Sequence, residues 1–172
     1  MAGLNPQTIG TTMPNGQAGS YARQPDMIIN TKMAGGSAAI NFGLALVYDA
    51  QKNVVLPSDS TTAAQFVGVA AREVKSSLNF LNQGVGQYVP NEAVAVFQRG
   101  SVNVKCQNGT PVVGGAVYMR VKANASYPNA VVGGFEAAAD STNTVLLTNA
   151  QWAGAADANG VAELRILTML NA

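Results

Sequence analysis

Nine carboxylates and one thiol are the first places to look for acid, base or nucleophilic chemistry in this 172-residue sequence, which contains no histidine. Without imidazole, a Ser/His/Asp triad, a Cys/His pair and every His-based metal site are excluded. The carboxylates stand singly, at Asp26, Asp49, Asp59, Glu73, Glu92, Glu136, Asp140, Asp157 and Glu163. Asp26, Asp49, Asp59, Asp140 and Asp157 fall at turns or strand starts, where an aspartate binds nearby backbone N–H groups with no catalytic duty. Glu136 and Asp140 come nearest to an acid/base or metal pair, around Ala137-Ala138-Ala139, but a solvated loop is the favoured reading. Cys106 has no second cysteine to bridge and no imidazole or acid to activate it, so it reads as a small core hydrophobe. The run Gly84-Val-Gly-Gln-Tyr-Val89 has two glycines of a dinucleotide fingerprint, lacks the third, and has no strand–helix–strand setting. No phosphate-cradling Gly-x-x-x-x-Gly-Lys-Ser/Thr run occurs. Arg72-Glu73-Val74-Lys75 is a mixed-charge cluster that suits solvent or an intersubunit ion pair. The sequence predicts no catalytic residue, no cofactor and no metal site.

The composition points away from charged partners. Ten Lys and Arg against nine Asp and Glu give a net charge of +1, so the cationic excess of a phosphate-backbone binder is missing and nucleic acid is not the expected partner. Charged residues are 11% of the chain, less than half of the roughly 25% usual for soluble domains, so something other than charge covers the surface. No run approaches the roughly 18 apolar residues of a membrane helix, and the first residues lack the basic and apolar regions of a signal peptide; synthesis in the cytoplasm is expected, unless assembly carries the chain elsewhere. The apolar content is small or β-branched, with 28 Ala, 20 Val and 18 Gly, which favours strands over helices.

Residues 1–25 hold four Gly, three Pro and a single charge, Arg23, with isolated Leu4, Ile9, Met13 and Tyr21. No period runs through them, and they lack the charge that solvates a disordered tail, so they read as an extended N-terminal arm that orders against another subunit. Residues 26–172 read as one all-β domain, a barrel or a sandwich, with short apolar runs between turn residues at about ten-residue spacing. Strands are expected at Met27–Ile29, within 40–48, at 54–56, 66–71, 92–97, 101–106, 116–121, 144–148 and 161–167, with a helical turn at 63–65 behind the capping residues 58–62. Gln98-Arg99-Gly100 reads as the break between two of these strands. Residues 76–87 read as a long loop with an apolar face at Leu78, Phe80 and Leu81. Trp152 reads as a loop residue capping the end of the barrel. Tyr21, Arg23 and Met27 at the arm's junction have the composition of an interface centre.

The runs Tyr21-Ala-Arg-Gln-Pro-Asp26, Ile40-Asn-Phe-Gly43, Phe66-Val-Gly-Val69, Tyr88 with Pro90, Phe97-Gln-Arg-Gly-Ser-Val-Asn-Val104 and Gly114-Gly-Ala-Val-Tyr-Met-Arg120 resemble the structural cement, or capsid decoration, proteins of tailed bacteriophages. So do Gly134-Phe-Glu136, Asp140, Asn143-Thr-Val145 and Asp157-Ala-Asn-Gly-Val161, which takes the resemblance over most of residues 21–166. It implies a mainly β protein without enzymatic activity that binds the phage major capsid protein on the virion surface, as a homo-oligomer (dimer or trimer), and locks the shell. The neutral charge balance departs from the acidic one expected of that family and leaves open an outer-surface or an inter-capsomer position. On the resemblance and the composition together, the expected capsid or intersubunit contacts are Leu4, Ile9, Met13, Tyr21, Arg23, Met27, Leu78, Phe80 and Leu81. Two other classes remain: another virion or tail component or host-recognition β module, marked by exposed carbohydrate-binding aromatics, and an enzyme built on a carboxylate pair in a cleft.

Overall fold

Hydrophobic residues two apart, broken by glycine and aspartate, produce an almost purely β chain. The computed structural model describes residues 14–73 and 86–171. Among them run β1 (Tyr21–Met33), β2 (Ile40–Asn41), β3 (Ala45–Tyr48), β4 (Val54–Val55), β5 (Phe66–Ala70), β6 (Gln87–Tyr88), β7 (Ala93–Lys105), β8 (Ala116–Arg120), β9 (Phe135–Glu136), β10 (Thr144–Trp152) and β11 (Val161–Ile166), with 3-10 turns at Ala63–Gln65 and Ser141–Asn143. Nine strands make one antiparallel sheet in the order β4-β3-β5-β7-β11-β10-β8-β9, with β1 also on β7, and the sheet curls into a half-barrel; β2 and β6 form a separate ribbon. The all-β expectation holds.

β7 is the axis of the fold. Its Val96 and Phe97 pair with both β1 and β5, and its Ser101 and Val102 with both β1 and β11, so both of its edges are occupied. The sequence suggested two strands here, divided at 98–100; the structure corrects this to one thirteen-residue strand. The reason is Gly100. It sits at φ +102°, and a Cβ there would strike the Asp26 carbonyl oxygen, so the glycine admits a close approach of β1 instead of making a turn. β1 bows at the same place, its register shifting between Arg23 and Ile28.

The core has two parts, one on each side of β5 and the first half of β7. Phe66, Val69 and Phe97 face the larger, with Val102, Val104, Met119, Phe135, Leu147, Trp152, Leu164 and Ile166. Val67, Ala70, Val94 and Val96 face the smaller, with Ile40, Leu46, Val54 and Tyr88. That is why 66–71 reads as an unbroken apolar run: a strand buried on both faces has no polar side to alternate with. Full burial of each large aliphatic or aromatic side chain contributes about 1.5–3 kcal/mol, so the larger cluster dominates stability. Trp152 belongs to it; the expected loop cap is the last residue of β10 and is fully buried.

Candidate functional site

Tyr21, Arg23 and Met27 all lie on β1. The other expected contacts, Leu4, Ile9, Met13, Leu78, Phe80 and Leu81, lie outside the described residues. Tyr21 donates its hydroxyl to the Glu73 carboxylate, and its ring centroid is 6.0 Å from that of Phe97. Burial, then the Glu73 bond, pushes the Tyr21 hydroxyl well above the ordinary phenol range. Arg23 Nε donates to Glu163 Oε1 at 2.7 Å while its side chain stays 71% exposed. Burial opposes ionisation of Glu163, but bonds from Arg23 and Ser101 outweigh it and hold the carboxyl below its usual range. Asp26 lies 3.2 Å from Arg99 and 3.8 Å from Arg165. Exposed pairs of this kind contribute little stability; they fix the path of β1 over its neighbours. Met27 is half-buried against the larger core.

The segment before β1 is also bound to its own chain. Asn103 donates Nδ2 to the Asn15 carbonyl at 2.6 Å, Gly19 N donates to the Asn103 carbonyl at 2.7 Å, and Asn103 N donates to the Ser20 carbonyl at 2.9 Å. Asp157 Oδ2 accepts from Asn15 N at 2.9 Å, while its Oδ1 accepts from Asn159 N and Val161 N. These backbone bonds, that of Val161 first, lower the Asp157 carboxyl pKa against the opposing effect of burial. Gly43 permits the fit: a Cβ there would come 2.7 Å from the Cβ of Ala18. Pro14, Asn15 and residues 155–159 border a cleft of about 450 Å³.

Among the described residues, another charge cluster joins β8 and β9. Arg120, at the end of β8, is fully buried; its Nε meets Glu136 Oε1 at 2.5 Å and its Nη2 meets Asp140 Oδ2 at 2.8 Å. Nη1 donates to the Lys122 carbonyl at 3.0 Å. Asn124 Nδ2 reaches both Asp140 oxygens and Asn108 Nδ2 reaches Glu136. The expected solvated loop is therefore corrected for Glu136, which is the last residue of β9 and fully buried. The pairing of Phe135 with Met119 and of Glu136 with Tyr118 sets β9 beside β8 and brings the carboxylate to the guanidinium. Asn124 is the largest influence lowering the Asp140 pKa; burial opposes it and Arg120 adds to it. Burial works against the Arg120 charge, yet the bonds to Glu136 and Asp140 more than offset it and keep the guanidinium charged. Glu136 and Asp140 both spend a carboxylate oxygen on the one guanidinium. The network holds the segment 121–143, β9 included, against β8.

Chemistry elsewhere is equally muted. Cys106 is half-buried, its Sγ donates to the Asn108 carbonyl at 3.3 Å, and burial pushes the thiol pKa up. Among the described residues no three His, Cys, Asp or Glu side chains gather as metal ligands.

These shifts set the pH response. Asp140, Asp157 and Glu163 have folded pKa values below their unfolded ones, so their stabilisation is present above the unfolded value and lost as pH falls through the folded one. Tyr88, pushed up to about 12 chiefly by burial, and Tyr21 contribute in the opposite sense and lose it in alkali. With no histidine to titrate, the urea midpoint should stay level between about pH 5 and 9 and fall on either side. A sloping midpoint across neutrality would contradict this.

Several large apolar side chains stand exposed among the described residues. Val112 and Val113, between Pro111 and Gly114-Gly115, are 57% and 80% exposed at the turn joining β7 to β8. Tyr127 and Val131 project from the loop that Arg120 pins, with Arg120 5.8 Å from the centre of the Tyr127 ring. Leu167, Met169 and Leu170 stand exposed beyond β11. Val112 and Val113 are not among the expected contacts; the mark that the sequence offers is two valines beside a Gly-Gly turn, where nothing local can bury them. The model of a structural cement protein family (E217 gp24/Pam3 gp6) matches residues 6–167.

The chain belongs to this structural cement family.

A chain of the solved structure "The capsid of Myoviridae Phage XM1" is similar in fold, with a TM-score of 0.72 over 96% of this chain and 99% of that one at 16% identity. No curated protein matches. The cement protein is thus a structural, capsid-associated component of a phage virion, as the resemblance implied. Its internally neutralised acids and outward valines and leucines accord with a binding role.

Proposed function

We propose that this cement protein binds the assembled shell of the phage major capsid protein at the virion surface, as a homo-oligomer, and stabilises the head without enzymatic activity. The family match over residues 6–167 carries this reading. The contacts we assign are Tyr21, Arg23 and Met27 on β1, with Leu4, Ile9 and Met13 before it and Leu78, Phe80 and Leu81 after Glu73; Val112 and Val113 join them. The mechanism is thermodynamic: a protein that binds the closed shell but not free subunits shifts the equilibrium toward the shell, and many copies multiply the effect.

Heads assembled without the protein should form with normal geometry but rupture at a lower temperature, as read by DNA release during a thermal ramp. An unchanged rupture temperature rejects the cementing role. Because the contacts are mainly apolar, the protein should stay on heads up to about 1 M salt, where the screening length falls to about 3 Å. Release by salt would reject the apolar contacts and leave the role standing.

A further inference from the structure

The turns at Asn108-Gly109 and Asp157-Ala-Asn-Gly160 share a chemistry that binding does not use: both contain an Asn-Gly pair, and a third stands at Asn15-Gly16. In such a pair the glycine nitrogen can attack the carbon of the asparagine side-chain amide, because no side chain on the glycine hinders the five-membered ring and both groups belong to one chain. How firmly the structure holds the two groups decides which pair reacts.

Asn108 is held by three partners. Its Nδ2 reaches Glu136, and its carbonyl accepts from Ala137 N at 2.8 Å and from Cys106 Sγ at 3.3 Å. Gly109 is equally confined, since a Cβ there would lie 2.7 Å from Ala138 N. Asn15 donates Nδ2 to the Val161 carbonyl at 2.8 Å and N to Asp157 Oδ2 at 2.9 Å, while its carbonyl accepts from Asn103 Nδ2 at 2.6 Å. A Cβ on Gly16 would lie 2.9 Å from the Ser20 hydroxyl. Asn159 differs from both. It is exposed, its side chain has no hydrogen bond among the described residues, and the nearest atom to a Cβ on Gly160 would be the Cys106 carbonyl oxygen at 3.8 Å. Only the turn restrains this pair: Asn159 N donates to Asp157 Oδ1 at 2.8 Å and Gly160 N to the Asp157 carbonyl at 3.0 Å. Bonds within one exposed turn open by local fluctuation, without moving another strand.

We propose that Asn159 is a site of spontaneous deamidation, and that its conversion weakens the hold of the 157–161 turn on Asn15. Hydroxide removes the Gly160 amide proton, the nitrogen forms a bond to Asn159 Cγ, and the Cγ–Nδ2 bond breaks, with Nδ2 leaving as ammonia after taking a proton from water. Water then adds to one of the two ring carbonyls, and the ring opens to aspartate or isoaspartate. Isoaspartate puts an extra methylene into the main chain, and either product puts a second carboxylate two residues from Asp157. The turn closes through bonds that the longer chain cannot all keep: Asn159 N and Val161 N to Asp157 Oδ1, Asp157 N to the Val161 carbonyl at 2.8 Å, and Gly160 N to the Asp157 carbonyl. Asn15 depends on two groups of that turn, Asp157 Oδ2 and the Val161 carbonyl. The reaction is therefore a one-way switch on the attachment of the segment before β1, and it needs no partner.

The test ages the full chain at mildly alkaline pH in water enriched in heavy oxygen, then maps its peptides by mass spectrometry. The Asn159 peptide should take up the label about tenfold faster than those of Asn15 and Asn108, because each further bond that those residues must break slows ring closure several-fold. Isoaspartate at 159 is read by labelling with an isoaspartyl methyltransferase. Amide exchange at Asn15 and Gly19 should quicken in the aged protein and stay unchanged in aged Asn159→Gln, whose imide would need a less favourable six-membered ring. Equal labelling at the three pairs, labelling led by Asn15 or Asn108, or an Asn159 that stays intact while a short peptide of the same sequence converts would each overturn the site. Unchanged exchange in fully converted protein, or equal loosening in Asn159→Gln, would overturn the switch.

Discussion

Replacing Arg120 with methionine is expected to lower the unfolding free energy by about 3–5 kcal/mol, the range for breaking a buried ion pair from one side. The argument rests on what stays behind. Glu136 is fully buried, and Arg120 Nε is its partner at 2.5 Å; with the arginine gone, among the described residues only the Asn108 amide at 3.4 Å remains. A carboxylate in that position has lost its water and its counter-charge together. Removing both partners should be far milder, because an apolar pair of similar volume replaces desolvated charge with packing. Arg120→Met combined with Glu136→Leu should therefore recover most of the loss, a non-additivity that a double-mutant cycle in urea reads directly. A cost below about 1 kcal/mol for Arg120→Met would show that the pair is screened and that the loop is held by other bonds. Because Nη1 also holds the Lys122 carbonyl and Nη2 holds Asp140, the single variant should loosen the segment 121–143, seen as faster amide exchange there than in β7.

The same residues mark how far the sequence could be read. Turns were legible because their chemistry is local: Asp49 accepts from Gln51 N and Asn53 N, and Asp157 from Asn159 N and Val161 N, each within four residues. The helical turn at Ala63–Gln65 was legible for the same reason, since Thr62 and Gln65 form its capping box. The alternation in β11, Glu163 and Arg165 outward against Leu164 and Ile166 inward, follows from one face meeting the core. What escaped depended on distant partners. Asn103, which a period of two sets on the face opposite Val102 and Val104, is 3% exposed because Asn15, Gly19 and Ser20 bond to it. Glu136 looked like a loop acid because nothing nearby in sequence announces that Arg120 arrives from another strand. Gly100 carried the signal of a turn, yet its reason is the backbone of β1 pressed against it. Of the expected contact residues, only those on β1 fall among the described residues, and their common strand was visible beforehand only as the short run Met27-Ile28-Ile29.

Trp152 joins the core to the exposed tip, and its truncation to alanine should cost about 3–5 kcal/mol, the range for emptying a buried aromatic site. Phenylalanine at the same position should cost much less, under about 1.5 kcal/mol, for a reason beyond its smaller change in volume. The indole Nε1 is buried with no hydrogen-bond acceptor among the described residues. An unmet buried donor carries a penalty of about 1–3 kcal/mol, which Trp152→Phe removes and which offsets part of the lost packing. Since Trp152 is the sole tryptophan, unfolding of both variants must be followed by circular dichroism instead of indole fluorescence. Equal losses for alanine and phenylalanine would mean that Nε1 has found an acceptor. The backbone carries the effect outward: Gly114 N donates to the Trp152 carbonyl at 2.8 Å and Trp152 N donates to the Gly115 carbonyl at 3.1 Å, so β10 holds the turn that presents Val112 and Val113. Trp152→Ala should weaken binding to heads even at temperatures where the domain stays folded, whereas Trp152→Phe should leave binding unchanged. If both variants bind heads as tightly as the wild type, the valine turn is not among the contacts that cement the shell.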